Sequence, residues 1–333
     1  MKPKIKPDVI VHKGNYPGWP WVTRTRKGRL LCAFRDDGVH GFSATGKVMI
    51  AESANGGRSW SKARVVIDHG GVDDRNAAVA ELPDGTLLVC YNTYTAKKAS
   101  QARVIRSTDG GQSWLDDAPL DAPNTRTRSA PVVLSTGDVL LPYYVAPGNG
   151  ALAALSGDGG KTWKTVRVPD ASGFTGDEWD VLEVSPRRLV GLSRNSHRAT
   201  QGYFWMTESR DAGRSWSRPV RTNVQSQRHP SPPNLGRHGK HPVLTYADRR
   251  MISVSMVQPL DGGFVKWDVD NRLPCYQYRP DGKPIKDASY PASVELDKGH
   301  RFVVDYEIRT LARQIAGYVV EIPPDWIGRP KKR

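Results

Sequence analysis

Apolar positions along this chain fall in short runs rich in β-branched and aromatic residues, bounded by Gly, Pro and Asp, which is the pattern of strands and tight turns. The clearest runs are Leu30 to Phe34, Thr86 to Tyr91, Val139 to Tyr144, Leu189 to Leu192, Val243 to Tyr246 and Phe302 to Tyr306. Each follows a turn, and before that turn stands another short run: Trp21 to Thr25, Ala77 to Leu82, Ala130 to Leu134, Asp180 to Val184, Pro233 to Leu235 and Pro291 to Leu296. A third run comes next in every unit: Val48 to Ala51, Ala102 to Ile105, Leu152 to Leu155, Tyr203 to Thr207, Ile252 to Met256 and Ala316 to Ile322. Arg64 to Ile67 exemplifies a fourth. No stretch approaches the roughly 18 uncharged apolar residues of a membrane-spanning helix, so no membrane insertion is expected.

A short pattern punctuates these units between the third and fourth strands. It reads Ser53-Ala-Asn-Gly-Gly57-Arg-Ser-Trp60, Ser107-Thr-Asp-Gly-Gly111-Gln-Ser-Trp114, Ser156-Gly-Asp-Gly-Gly160-Lys-Thr-Trp163 and Ser209-Arg-Asp-Ala-Gly213-Arg-Ser-Trp216. The starts lie 54, 49 and 53 residues apart, and a worn fifth copy, Asp261-Gly-Gly263 with Trp267, follows at the expected distance. Regular recurrence at this period is the signature of a repeat architecture. The chemistry is that of a stiff turn: Asp or Asn caps backbone N–H groups, Gly takes positive φ, and Trp plugs the turn against the sheet.

Six units of four antiparallel strands predict an all-β protein, a six-bladed β-propeller. The sixth unit has no fourth strand of its own, and the N-terminal run Val9 to His12 has no other partner. That run is expected to complete the last blade, closing the ring and removing exposed strand edges. The predicted domain is residues 1–325, followed by a basic tail, 326–333.

Antiparallel connectivity sorts side chains between two faces. The turns between first and second strands, and the Ser-Asp-Gly-Trp turns, share the bottom. The top carries the starts of first strands and the ends of second strands. There the sequence gathers Arg35, Asp36, Asp37 and, in the following loop, His40; Arg75 and Asn76; Arg128 and Ser129; Asp177, Glu178 and Arg194; Arg228 and His229; Asp248, Arg249 and Arg250; Ser289 and Tyr290; and Glu307 with Arg309. Arg is the side chain for bidentate recognition of carboxylate, phosphate or sulfate, so this convergence points to an anionic ligand. Between the neighbours Arg249 and Arg250, strand alternation allows one to face the site, and a slip in register would exchange them.

Composition fits this picture. The chain has 333 residues, 49 Lys and Arg against 34 Asp and Glu, and a net charge of +15. The positive charge is dispersed except for the tail Arg329-Pro-Lys-Lys-Arg333, so nucleic-acid binding is not expected, and part of the surplus is assigned to the Arg ring. Three Cys argue against a disulfide scaffold; Cys32 and Cys90 occupy matching second-strand positions and read as buried thiols, Cys275 is isolated, and none lies beside a candidate base. No His-x-x-x-His or Cys-x-x-Cys spacing occurs and no Gly-rich loop opens a helix, so neither a metal nor a nucleotide cofactor is expected. Met1 to Gly14 lacks the apolar core of a signal peptide, and a cytoplasmic location is the default expectation. The oligomeric state is left open.

At these residues the chain resembles the sialidase (neuraminidase) superfamily. The four turns match that family's Asp-box, or BNR repeat, and the likeness runs from about Tyr16 to Pro323. The resemblance implies a six-bladed propeller in which a Tyr nucleophile is activated by a Glu, three Arg grip the substrate carboxylate and a loop Asp serves as acid and base. It assigns the Tyr to Tyr290 in Tyr290-Pro-Ala-Ser293, the Glu to Glu178, and two of the Arg to Arg194 and Arg249. At two places the chain departs from the pattern. The family's Arg-Ile-Pro segment reads Gly18-Trp19-Pro20, and the stretch His40 to Thr45 has no carboxylate, leaving Asp36, Asp37 or His40 as substitutes.

The expected activity is therefore a retaining exo-glycosidase acting on an acidic sugar such as sialic acid. Tyr290, Glu178, Asp37 and His40 form the candidate chemistry, Arg194 and Arg249 the anion grip, and Arg35, Arg75 and Arg128 its supplements. Two other readings fit the same residues: a polysaccharide lyase on a uronate-containing glycan, with His40 or Tyr290 abstracting the α proton, and a glycan-binding propeller without turnover.

Overall fold

The computed structural model of the chain describes residues 2–195, 202–226, 231–249, 253–277, 289–307 and 313–328. Short apolar strands joined by tight turns pair with their sequence neighbours, and here they form six antiparallel sheets. After β1 (Val9–Lys13), blade one comprises β2 (Gly18–Arg24), β3 (Leu30–Asp36), β4 (Lys47–Ser53) and β5 (Arg64–Ile67). Blade two comprises β6 (Asp73–Glu81), β7 (Leu87–Tyr94), β8 (Ser100–Ser107) and β9 (Leu115–Pro119). In blade three the inner strand is split into β10 (Thr125–Thr127) and β11 (Val132–Val133), both paired with β12 (Val139–Val145), before β13 (Ala151–Ser156) and β14 (Lys164–Arg167). Blade four is β15 (Trp179–Ser185), β16 (Arg188–Ser193), β17 (Tyr203–Ser209) and β18 (Val220–Gln225). Blade five is β19 (Asn234–His238), β20 (His241–Asp248), β21 (Ser253–Val257) and β22 (Leu273–Gln277). Blade six holds β23 (Ala292–Asp297), β24 (His300–Glu307) and β25 (Gln314–Glu321).

The protein is thus a six-bladed β-propeller, and β1 closes it: β1 pairs antiparallel with β25, Val9 opposite Gly317 and Lys13 opposite Gln314, as the outer strand of blade six. Past residue 325 the chain makes further contacts with the propeller. Trp326 packs with Ile327 on the apolar cluster of blades five and six, its indole Nε1 donates to the Asn271 carbonyl (2.8 Å), and the Trp326 carbonyl accepts from Gln258 Nε2 (2.6 Å). The remaining tail residues, 329–333, and the candidates Arg228, His229, Arg250 and Arg309 lie outside the described residues. Among the described residues no helix is long and apolar enough to cross a membrane.

The repeated turns fasten neighbouring blades. In all four copies the Ser hydroxyl receives the N–H of the second Gly position (Gly57, Gly111, Gly160, Gly213) at 2.7–2.9 Å. The Asp or Asn side chain takes the backbone N–H four residues on. The turn then sits against the preceding blade. Trp60 packs on Phe302 of blade six, ring centroids 5.6 Å apart, and Arg29 of blade one donates to the Gly110 carbonyl of blade two (3.4 Å). Arg188 of blade four donates to Gly262 of the worn fifth copy (2.6 Å), where Trp267 keeps the indole bond to the turn, to the Phe264 carbonyl at 2.8 Å. The three Cys are buried and reduced, and burial pushes the Cys90 thiol up to about 12.

Two glycines separate backbone strain from packing. Gly137 (φ +89°) has open space where a Cβ would go, whereas a Cβ on Gly213 (φ +84°) would stand 2.5 Å from Leu140 Cδ1 of the neighbouring blade. Gly137→Ala is expected to cost about 1–2 kcal/mol, the left-handed penalty alone. Gly213→Ala should cost a further ~1–3 kcal/mol from overpacking, and urea unfolding of the two variants measures the difference.

Candidate active site

The inner strands of blades one to three are irregular at the same end, and these irregularities shape the site. In blade one, Gly18 opposes Arg35 and Trp21 opposes Ala33, so Trp19 and Pro20 stand against the single residue Phe34. In blade two, Asn76 and Ala77 stand against Tyr91 in the same way. In blade three the break between β10 and β11 contains Arg128. Bulges re-aim side chains and are over-represented beside active sites. Trp19 (φ 53°) and Asn76 (φ 56°) are left-handed within their bulges, and Ser289, immediately before Tyr290, is left-handed as well (φ 74°). Non-Gly residues held there store strain that clusters at functional sites.

Tyr290 is fixed at three points. Its N–H donates to Asp305 Oδ1 (2.7 Å), its carbonyl accepts from Arg128 Nη2 (3.1 Å), and its hydroxyl accepts from Arg194 Nη1 (3.0 Å). Asp305 is buried and also receives Ser289 Oγ (2.5 Å), the Tyr306 N–H (2.8 Å) and the Tyr276 hydroxyl. Burial pushes its carboxyl up to about 6 against the pull of these donors.

Arg194 joins three groups. Besides the Tyr290 hydroxyl, it reaches Asp177 Oδ2 through Nε (3.0 Å) and Glu178 Oε2 through Nη1 (2.7 Å). Burial works against its charge, but Asp177 and Glu178 hold its pKa well above the ordinary value. Burial raises the Glu178 pKa, Arg194 draws it down, Asp177 pushes it up, and an interaction with the Tyr290 hydroxyl lowers it again. Burial and the Glu178 charge raise the Tyr290 hydroxyl, opposed by Arg194 and Arg249. Arg249 lies with its guanidinium 5.9 Å from the Tyr290 ring centroid and donates to the Ser289 carbonyl (3.3 Å). Tyr290, Glu178, Arg194 and Arg249 therefore stand together.

The other candidates divide. Arg128 is buried between the Trp21 and Tyr290 rings, 5.2 Å from each centroid, and donates to the Pro20 (3.3 Å) and Tyr290 carbonyls. Burial lowers its pKa, while Glu178 acts to raise it. Arg35 is fully buried and meets Asp73 through Nε and Nη2, both at 3.0 Å. Arg75 stacks 4.2 Å above the Trp19 ring and donates to the His40 carbonyl (3.0 Å). His40 is exposed, with Nδ1 3.1 Å from the Tyr16 hydroxyl and its ring 5.7 Å from Trp19, which in turn lies 6.5 Å from Tyr290. Asp37 is turned elsewhere: its carboxylate takes Gly38 N (2.8 Å) and Asn15 Nδ2 (3.3 Å) and lies 3.7 Å from Lys47. Asp36 is committed to His12 Nε2 (2.7 Å) and the Tyr16 N–H (3.0 Å). Sequence reasoning placed Asp177 on this face without giving it a role, and it gave none to Trp19, Asp73 or Asp305. Asp177 adjoins Glu178 in the chain, and that adjacency is the one signal that pointed to a role for any of them. Among the described residues no group of three or more His, Cys, Asp or Glu could hold a metal ion.

Residues 28–302 match the BNR repeat-like domain family. The chain belongs to that family. The sialidase of Micromonospora viridifaciens is 27% identical over 239 residues, covering 59% of this chain and 35% of the relative, so the chain spans about a third of that protein's length. A crystal structure of a Dyadobacter fermentans protein of unknown function superposes with a TM-score of 0.79 at 20% identity, covering 96% of this chain and 98% of that one. The NanB sialidase of Streptococcus pneumoniae superposes at 0.73 with 11% identity, covering 97% of this chain and 70% of that one. These likenesses establish the shared fold of this BNR repeat protein.

Removing one partner of a buried ion pair strands the other charge. Asp73→Ala would leave Arg35 buried without a carboxylate and should destabilise the domain by about 3–5 kcal/mol. Chemical denaturation of that variant measures the loss.

Proposed function

We propose that this BNR repeat protein is a sialidase-like exo-glycosidase that hydrolyses a terminal acidic sugar, sialic acid or a related carboxylated sugar, from a glycan. The observation that supports it is the Tyr290 hydroxyl bonded to Arg194, which also pairs with Glu178 and Asp177. A phenol is a weak nucleophile at its ordinary pKa of about 10. Glu178 would take the phenolic proton as Oη attacks the anomeric carbon, forming a tyrosyl glycoside that water then cleaves with retention. A neutral nucleophile avoids repulsion by the substrate's own carboxylate, and Tyr nucleophiles are a known exception to the two-carboxylate scheme. The substrate anion would be received by Arg249 and by Arg194 Nη2, the nitrogen not engaged with Asp177, Glu178 or Tyr290. His40 would protonate the leaving oxygen. Its ring adjoins Trp19 beside Tyr290, whereas the Asp37 carboxylate is engaged with Gly38, Asn15 and Lys47.

The imidazole standing where a carboxylate is expected favours one alternative, a uronate lyase. There His40 or Tyr290 would remove the proton α to the carboxylate and Arg249 would neutralise the developing enolate.

A panel of sialosides, uronosides and sulfated glycosides decides between them. The hydrolase reading expects release of a terminal acidic sugar with retained configuration, and Tyr290→Phe abolishing turnover. Glu178→Gln should lower kcat by about 10²–10⁴. Because burial raises the Glu178 pKa and the base must be ionised, activity should be lost as pH falls through a limb above the usual carboxylate range, and that limb should vanish in Glu178→Gln. An unsaturated product absorbing in the ultraviolet assigns the lyase. No product from any substrate, or an unchanged rate in Tyr290→Phe, removes the hydrolase reading.

A further inference from the structure

A second feature extends outward from Trp19, away from Tyr290. The Arg75 guanidinium carbon lies 4.2 Å from the Trp19 ring centroid and 5.4 Å from that of Tyr94 at the end of β7, and the Arg126 guanidinium carbon from β10 lies 5.1 Å from the Tyr94 centroid. Ring and cation alternate from blade one across blade two to the edge of blade three. Arg75, Tyr94 and Arg126 are all partly exposed.

The members differ in what they have left to offer. Arg75 is locked by the His40 and Gly41 carbonyls (3.0 and 3.4 Å) and by Asp73 (3.5 Å). Arg126 spends only Nε, on Ser100 Oγ (3.0 Å), and makes no ion pair among the described residues. Asp73 is the carboxylate shared by Arg35 and Arg75, and Arg35 and Arg126 both act to lower the Arg75 pKa after burial does. Beside Tyr94, the β7–β8 turn carries Lys97 and Lys98, both exposed. Positive charge thus exceeds its internal neutralisation along a row of flat surfaces. Stacked guanidiniums keep their N–H forks in the plane of the group, where a carboxylate or sulfate can meet them. The partly exposed Tyr94 ring suits the C–H face of a sugar, while Trp19, 2% exposed, backs the Arg75 guanidinium from within.

We propose that the Trp19–Arg75–Tyr94–Arg126 row is a subsite for the sugars behind the terminal one, and that it selects glycans carrying an anionic group on successive residues. This deepens the exo-glycosidase reading and rests on it for the position of the terminal sugar, but the binding it describes does not require turnover.

Calorimetric titration in a Tyr290→Phe background tests it, with oligomers of sialic acid and of galacturonic acid one to four residues long and cello-oligosaccharides as neutral controls. The expected result is about tenfold tighter binding for the second anionic sugar, of the size a charge-assisted contact gives, with no such gain in the neutral series. Arg126→Gln and Tyr94→Ala should each remove the gain with length, and Tyr94→Phe, which keeps the ring, should retain it. Should Tyr94→Ala fail to fold, the length series and Arg126→Gln carry the test. Affinity independent of length, an equal gain with neutral sugars, or a gain that survives Arg126→Gln overturns the proposal. A protein that hydrolyses nothing yet binds longer acidic glycans more tightly keeps this subsite and loses the hydrolase reading. One that cleaves sialosides with length-independent affinity does the reverse.

Discussion

The buried guanidinium of Arg128 is the contact on which the centre of this propeller depends. It arises between β10 and β11 of blade three, and its hydrogen bonds cross to the Pro20 carbonyl of blade one and the Tyr290 carbonyl at the mouth of blade six. A buried cation is costly unless its donors are met. Here two backbone carbonyls meet its Nη groups and two aromatic rings flank it, with Glu178 supplying the opposing field, while the buried Nε has no hydrogen-bond partner among the described residues. Blades that touch one another only through their neighbours are therefore also tied across the ring. The Tyr290 carbonyl is one end of that tie, so the backbone of the central tyrosine is set by the same bond that joins the blades.

The other end of the molecule is organised by a different device. The Ser-Asp-Gly-Trp turns satisfy their own backbone groups and then press on the preceding blade through Trp60, Arg29 and Arg188. With rigidity supplied there and by the β1–β25 closure, the opposite end is free to depart from regular pairing. It does so in blades one, two and three, where two bulges place Trp19 and Asn76 and the break between β10 and β11 places Arg128. Strain at Trp19, Asn76 and Ser289 is sustained because the surrounding ring overdetermines those positions.

This division explains what the sequence disclosed. The turns are local, and their residue types are dictated by backbone conformation, so their spacing set the period; the strand runs then counted six blades and left Val9 to His12 to close the last one. Tyr290, Glu178, Arg194 and Arg249 were legible because strand ends can be aligned by register. The bulges were not, because a two-for-one pairing leaves no trace in an apolar pattern. That is why the inner strand of blade three, expected as Ala130 to Leu134, is split around Arg128, and why Trp19 came into view only as a departure from a family pattern. Asp305 was hidden for another reason. It lies mid-strand in β24, among residues that read as core, and its donors come from Tyr276, Ser289, Tyr290 and Tyr306, whose convergence no local pattern encodes.

Counting arginines on one face overstates the positive potential there, since what each can offer a ligand depends on what already holds it. Arg35 is bidentate with Asp73 and fully buried, so its charge is largely cancelled before any ligand arrives. Arg128 keeps its charge but commits both Nη groups to carbonyls. Arg194 is balanced by Asp177 and Glu178, which makes it sensitive to the protonation of Glu178: neutralising that carboxyl would free positive charge at the Tyr290 hydroxyl, and ionising it would withdraw that charge. Under the proposed chemistry, anion binding and the activation of Tyr290 would for that reason be coupled through one guanidinium, and conditions that favour the first would work against the second. The row from Trp19 to Arg126 lies beyond this coupling, since Arg126 has no carboxylate partner among the described residues. The proposed affinity for an anionic glycan could therefore reside on blades two and three without disturbing the ionisation that the proposed chemistry beside Tyr290 would require.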